Sequence, residues 1–199
     1  IIRIILENKL DIDLDYLIDL TEVNFDKTDL QQFLKERIAF YLAEKNYQKN
    51  IVRAVVKQYD LDHLAILPRI IAEITEFISS EAGTKALAVY KRVSNLLNSN
   101  KESLSFDKKN YEELATNEDQ LVQEQVTLTK AQVEESLQPK DFKTALIVLG
   151  PMLDSVNHFL DNVQVNCEDI ELRSLRYALL NEIRQTMDRV LVFSELEKK

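Results

Sequence analysis

Apolar residues recur along nearly the whole chain at three- and four-residue steps, and no long run alternates with period two. That pattern predicts a succession of amphipathic helices. Residues 1–10 read as the closing turns of a first helix, and Leu14, Leu17, Ile18 and Val23 trace a short second one capped by Asp13. Thr28 is the expected cap of a helix over 29–46, with Leu30, Phe33, Leu34, Ile38, Tyr41 and Leu42 on its buried face and Asn46 as its stop. Residues 48–59 put Ile51, Val52, Val55, Val56 and Tyr59 on one side. A short helix or turn over 61–67 precedes Pro68, which suits the first turn of a helix reaching about residue 80. Gly83 marks a weak break, after which 84–98 carry Ala86, Val89, Tyr90, Val93, Leu96 and Leu97 inward.

The polar run 98–103 is the expected domain boundary, giving modules 1–101 and 102–199. Beyond it, 110–137 read as one long helix with a hitch at Thr116 and Asn117. Pro139 starts another helix, with Phe142, Ala145, Leu146 and Leu149 inward; Gly150 and Pro151 break it, and 152–160 resume on a new axis. Phe159 and Leu160 close that helix, and Val163 and Val165 alternate like a brief extended connector. Asp169 then caps a helix whose stripe is Leu172, Leu175, Leu179, Ile183, Met187 and Val190. Arg173, Tyr177 and Arg184 fall on a neighbouring polar strip, Arg173 and Arg184 on an exposed face and Tyr177 either there or with its ring packed, as most helical tyrosines are. Arg176 sits at the edge of the apolar stripe, so it needs a buried carboxylate, with Asp161 or Asp169 the candidates.

Composition agrees with an all-α protein of helical bundles joined by short loops: 199 residues hold only 2 Gly and 3 Pro. A single cysteine, Cys167, excludes an internal disulfide framework and fits a reducing, cytoplasmic setting. No apolar run approaches the roughly twenty residues of a membrane span, so no membrane partner is expected. The chain opens on I-I-R-I-I-L-E-N, inside an amphipathic pattern, and reads as a piece of a longer protein.

Candidate chemistry is sparse. Asp11, Asp13 and Asp15 with Glu22 mimic a calcium loop, but Tyr16 stands where the sharp turn requires Gly, and Ile12 and Leu14 are apolar. His63 and His158 lie far apart with no metal-ligand spacing, and nothing in the spacing pairs Cys167 with His158 as nucleophile and base. Two glycines cannot build a phosphate loop. No catalytic site, cofactor or metal is expected in this stretch.

Net charge is −9, yet two stretches are basic. Residues 27–57 hold seven bases against three acids, with Lys49, Arg53 and Lys57 one helical turn apart; 83–101 hold four bases and no acid. Each is either a phosphate-facing ridge or an ordinary solvated face. From residue 101 onward twelve bases meet nineteen acids.

Two separate segments carry a family resemblance. The run F-x-D-x-V-x-V-x-x-E-D-x-x-x-R-x-x-R-x-x-L-L over 159–180 resembles the helical anticodon-binding domain of several aminoacyl-tRNA synthetases, most nearly that of the β subunit of bacterial two-subunit glycyl-tRNA synthetase. About seventy residues earlier, Ala88, Lys91, Arg92, Val93, Asn95 and Leu97 resemble another segment of that subunit. The resemblance implies a C-terminal, DALR-like anticodon-binding bundle over 102–199 and a helical linking, tRNA-binding module over 1–101. It implies a partner in glycine tRNA, the rest of β, and an α subunit that uses ATP and Mg2+ within an α2β2 assembly. Residues of the right chemistry for tRNA are Lys91, Arg92, Asn95, Arg173, Tyr177 and Arg184, with Lys49, Arg53 and Lys57. The rival from another class is a helical protein-interaction scaffold without RNA contact; an enzyme with a novel site is a weaker third.

Overall fold

A computed structural model describes residues 1–21, 26–59, 61–99 and 111–196, and among the described residues there is no strand. The helices are α1 (Ile2–Asn8), α2 (Leu14–Asp19), α3 (Lys27–Glu44), α4 (Lys49–Gln58), a 3-10 segment (Leu61–Ile66), α5 (Leu67–Ile78) and α6 (Glu81–Ser99). They continue with α7 (Tyr111–Leu114), α8 (Asn117–Leu137), α9 (Phe142–Ile147), α10 (Leu149–Asn162), α11 (Ile170–Val190) and α12 (Phe193–Leu196). Two compact units result: Ile1–Glu76 with Leu191–Lys199, and Phe77–Val190.

In the first unit α4 is the central helix, packed on α3 and α12. Ile51, Val52, Ala54 and Val55 are almost fully buried, and Phe193 of α12 is completely so. Burial of each of these Ile, Val and Phe side chains contributes roughly 1.5–3 kcal/mol, and the Ala54 methyl less. α3 is capped by Asp26, whose Oδ1 accepts from the Thr28 and Asp29 amides at 2.8 and 3.2 Å, so Thr28 receives the cap it was expected to provide. Only Ile38 and Leu42 of the expected α3 face are fully buried, while Phe33 is 51% exposed with the Arg37 guanidinium 5.2 Å over its ring. Asn46 stops the segment in the left-handed conformation (φ 66°).

The aspartates before α2 are structural. Asp13 accepts from the Tyr16 amide at 2.9 Å, Asp15 accepts from Gln31 and the Leu61 amide, and Asp11 lies 2.7 Å from His63 Nδ1. Among the described residues no cluster of His, Cys, Asp and Glu is arranged to hold a metal ion. Val23 and Glu22 lie outside the described residues.

The second unit packs α8 against α9, α10 and α11, and α6 against α10 and α11. The boundary expected at residues 101 and 102 lies outside the described residues. α6, assigned by sequence to the N-terminal module, groups instead with the second unit, its buried face of Ala86, Val89, Tyr90 and Val93 being part of a helix that packs on α10 and α11. Gly83 does not break the chain; it sits inside the first turn of α6. A Cβ there would lie 2.6 Å from Ile78 Cα and overlap the Phe77 carbonyl, so the residue is glycine for lack of space. The turn falls at Ser80, whose hydroxyl donates to the Phe77 carbonyl and accepts from the Gly83 amide.

Two further junctions differ from the sequence reading. The hitch at Thr116 is a true helix start, a capping box in which Thr116 and Asp119 satisfy each other's amides. Gly150 and Pro151 lie within the first turn of α10, where a missing N–H costs nothing, and the interruption is at Val148. Pro139 precedes α9 rather than starting it, since Asp141 caps that helix through the Thr144 amide.

Candidate nucleic-acid interface

The 163–169 connector between α10 and α11 is built in two layers. Val163 is extended (φ −114°, ψ 126°), and Val165 is buried. Alternation therefore turns Gln164 and Asn166 outward, and both are exposed. Asp169 ends the connector by accepting from the Glu171 and Leu172 amides at 2.9 and 3.0 Å, the N-cap expected of it.

Three α11 side chains hold this connector from beneath. Arg173 donates to the Cys167 carbonyl at 3.0 Å, Arg176 to the Gln164 carbonyl at 2.9 Å, and the Tyr177 hydroxyl to Asn166 Oδ1 at 2.7 Å. Arg176 is buried and does find a buried carboxylate, but the partner is Asp119, met in a forked geometry at 3.1 and 3.3 Å. Asp119 is completely buried and also accepts from the Thr116 amide and hydroxyl, which ties the start of α8 to the connector. The two candidates named from sequence are otherwise engaged: Asp161 accepts from Arg92 at 2.8 Å and Asp169 caps α11.

Of the two readings open for Tyr177, the packed ring holds: the residue is only 6% exposed. Its ring packs inside the unit because position 177 lies a turn below the connector and the hydroxyl reaches Asn166. Arg184 is half-buried and donates to Asn181 at 3.0 Å. On α6, Lys91 and Asn95 are exposed, whereas Arg92 divides its guanidinium between Asn157 and Asp161 at 2.7 and 2.8 Å. Lys85 is paired with Asp154. The structure thus separates Lys91 and Asn95, facing solvent, from Arg173 and Tyr177, committed to the connector.

In the first unit Lys49, Arg53 and Lys57 are exposed along α4. Lys57 is bound to the buried Glu195 of α12 at 2.7 Å, which leaves Lys49 and Arg53 as the more available pair. Tyr59 behaves as a core group, its phenol held well above the ordinary range by burial and by Glu73. Sequence reasoning passed over Asp119, Gln164 and Asn166. The first was signalled by the T-x-x-D capping pattern, and the other two by their alternation with Val163 and Val165. A groove of about 440 Å³ between α8 and α10, lined by Leu121, Gln125, Leu128, Ser155 and His158 among others, completes the surface of this unit.

Among the described residues the second unit is all-α, with the α10–α11 connector held by side chains of α11. Residues 86–193 match the DALR anticodon binding domain, and the chain belongs to that family. The match begins within α6, inside the second unit. Over 98% of its length the chain is 32% identical to the glycine–tRNA ligase beta subunit of Rickettsia africae (strain ESF-5), and likewise 32% identical to that of Rickettsia akari (strain Hartford). The beta subunit of Rhodospirillum centenum (strain ATCC 51521 / SW) is 30% identical over 85% of the chain. The chain spans 29% of the length of the two Rickettsia relatives and 24% of the third.

Proposed function

We propose that this chain binds the anticodon loop of glycine tRNA as part of a glycine–tRNA ligase β subunit, working in the cytoplasm. The observation that carries the reading is the anticodon-binding family match over the unit whose α10–α11 connector is fixed from beneath by α11. The chain itself performs no bond-making step. Glycine activation with ATP and Mg2+ and transfer to tRNA fall to an α subunit, in an α2β2 assembly that also includes the rest of β. Lys91, Asn95 and Arg184 are the solvent-side contacts of the second unit, and Lys49 and Arg53 those of the first. Arg92 is partly diverted by Asp161, Lys57 by Glu195, and Arg173 and Tyr177 act by holding the connector.

One observation favours a protein-binding role alongside: Phe33 and Phe40, seven residues apart on α3, are 51% and 60% exposed. The deciding experiment titrates the full-length protein with glycine tRNA and with a copy whose two anticodon cytosines are replaced, at two salt concentrations. Tighter, salt-sensitive binding to the intact tRNA is expected. Equal binding to both would remove anticodon reading, and binding to neither by a folded sample would leave the scaffold.

A further inference from the structure

We propose that the 163–169 connector is the base-reading element, with Gln164 and Asn166 as its specificity-determining side chains and Arg173, Arg176 and Tyr177 as positioning residues. The inference rests on the anticodon-loop reading above and names the subsite within it. Sequence-specific RNA recognition targets unstacked loop bases through hydrogen bonds to their edges. Such recognition requires polar groups held at fixed spacing, because a mobile side chain would lose in ordering what it gains in contact.

The connector meets that requirement in three ways. Its main chain is pinned at two carbonyls, those of Gln164 and Cys167, by two arginines of α11. Val165, between the outward residues, is buried and anchors the pleat. The Asn166 amide is fixed by Tyr177 through Oδ1, and Gln164 Nε2 lies 3.3 Å from the Asn166 carbonyl, so both amides are oriented before any ligand arrives. What remains on offer is the Gln164 amide oxygen as an acceptor and the Asn166 amide nitrogen as a donor. An unpaired cytosine presents the complement, an amino group at N4 and acceptors at N3 and O2.

The cost of this arrangement also points to recognition. A buried arginine–carboxylate pair such as Arg176–Asp119 gives little net stability compared with an apolar replacement, and its benefit is a unique conformation. Here the conformation fixed is that of the connector, since the same guanidinium donates to the Gln164 carbonyl.

The test measures, for the full-length protein, the ratio of dissociation constants for the cytosine-replaced and intact glycine tRNAs. Gln164→Ala and Asn166→Ala are each expected to lower that ratio about tenfold, the usual weight of one good base contact, while affinity for the replaced tRNA stays unchanged. Tyr177→Phe, which removes one hydroxyl and keeps the ring, is expected to lower the ratio several-fold with the same salt slope and a melting temperature lowered by no more than about 6 °C. A ratio unchanged in the two alanine variants would overturn the proposal while leaving anticodon reading intact. A wild-type ratio of one would overturn the anticodon reading, and this proposal with it.

Discussion

Asp119→Ala is the sharpest perturbation of the second unit. The carboxylate is fully buried and receives both arms of Arg176, the Thr116 amide and the Thr116 hydroxyl. Removing it strands a guanidinium that is itself 6% exposed, a change that costs about 3–5 kcal/mol at buried pairs. It also dissolves the α8 capping box, worth about 1 kcal/mol, although the two losses share partners and will not add in full. A net loss of about 4 kcal/mol is expected, or roughly 8–16 °C in melting temperature for a chain of this size. Thermal unfolding followed by circular dichroism measures it, with Thr116→Val as a cap-only control expected near 1 kcal/mol. Proteolytic cleavage within 164–167 should accelerate in the Asp119 variant and stay at the wild-type rate in the control. A loss below about 1 kcal/mol, with cleavage unchanged, would refute the claim that this carboxylate holds Arg176 and the connector together.

The two glycines make opposite predictions. Gly83→Ala should destabilise by about 1–3 kcal/mol or more, because its methyl overlaps the Phe77 carbonyl. Gly150→Ala should stabilise by about 0.5–1 kcal/mol, since nothing lies within 4 Å of its added methyl; denaturant melts decide both. Arg189 holds Glu134 below its ordinary 4.5 through hydrogen bonds of 2.8 and 3.0 Å. The pair's stabilisation is therefore present above pH 4.5 and lost as pH falls through the lowered folded value. Both groups are about half exposed, so Arg189→Ala should cost under about 1 kcal/mol at pH 7 and nothing near pH 2 in melts across pH. In tRNA titrations Lys91→Gln should reduce the slope of log affinity against log salt by about 0.7–0.9. Arg92→Gln should reduce it by less than half as much, because Asp161 already occupies that guanidinium.

Local rules carried most of the helix assignment. The apolar stripe of α11 is buried at Leu175, Leu179, Ile183, Met187 and Val190, and Asp13 and Asp169 cap where their position implies. The failures share one cause, contact across sequence distance. Arg176 advertised its need for a carboxylate by lying at the edge of an apolar stripe, but its partner is 57 residues away and looked like a helix cap. Gly83 was read through propensity, whereas the close approach of Phe77 and Ile78 decides it. Tyr177 shares a helical strip with Arg173 and Arg184, and only the path of the connector over it determines that its ring is inside. For the same reason α6 could not be placed from its own pattern, since either unit could have covered its buried face.

The acidic balance of the C-terminal half, which argues against RNA binding when charges are merely counted, looks different once partners are known. Asp119 neutralises Arg176, Asp154 pairs with Lys85, Asp161 with Arg92, Glu134 with Arg189, and Glu182 lies 3.5 Å from Lys130. Asp141 and Asp169 sit at helix starts, where the unsatisfied amides and the helix dipole favour a carboxylate. These acids are thus structural, and the pairs also engage Arg92, Arg176 and Arg189, which would otherwise attract phosphate. On the proposed anticodon reading, a unit with these cations committed holds RNA less by charge and contributes more to discriminating between RNAs. Phosphate attraction on that reading comes from exposed cations such as Lys91 on α6 and Lys49 and Arg53 on α4, while selectivity falls to neutral donors and acceptors on a fixed backbone. This division of labour assigns the loss of affinity with salt and the loss of discrimination between tRNAs to different residues, so the two should be separable by mutation.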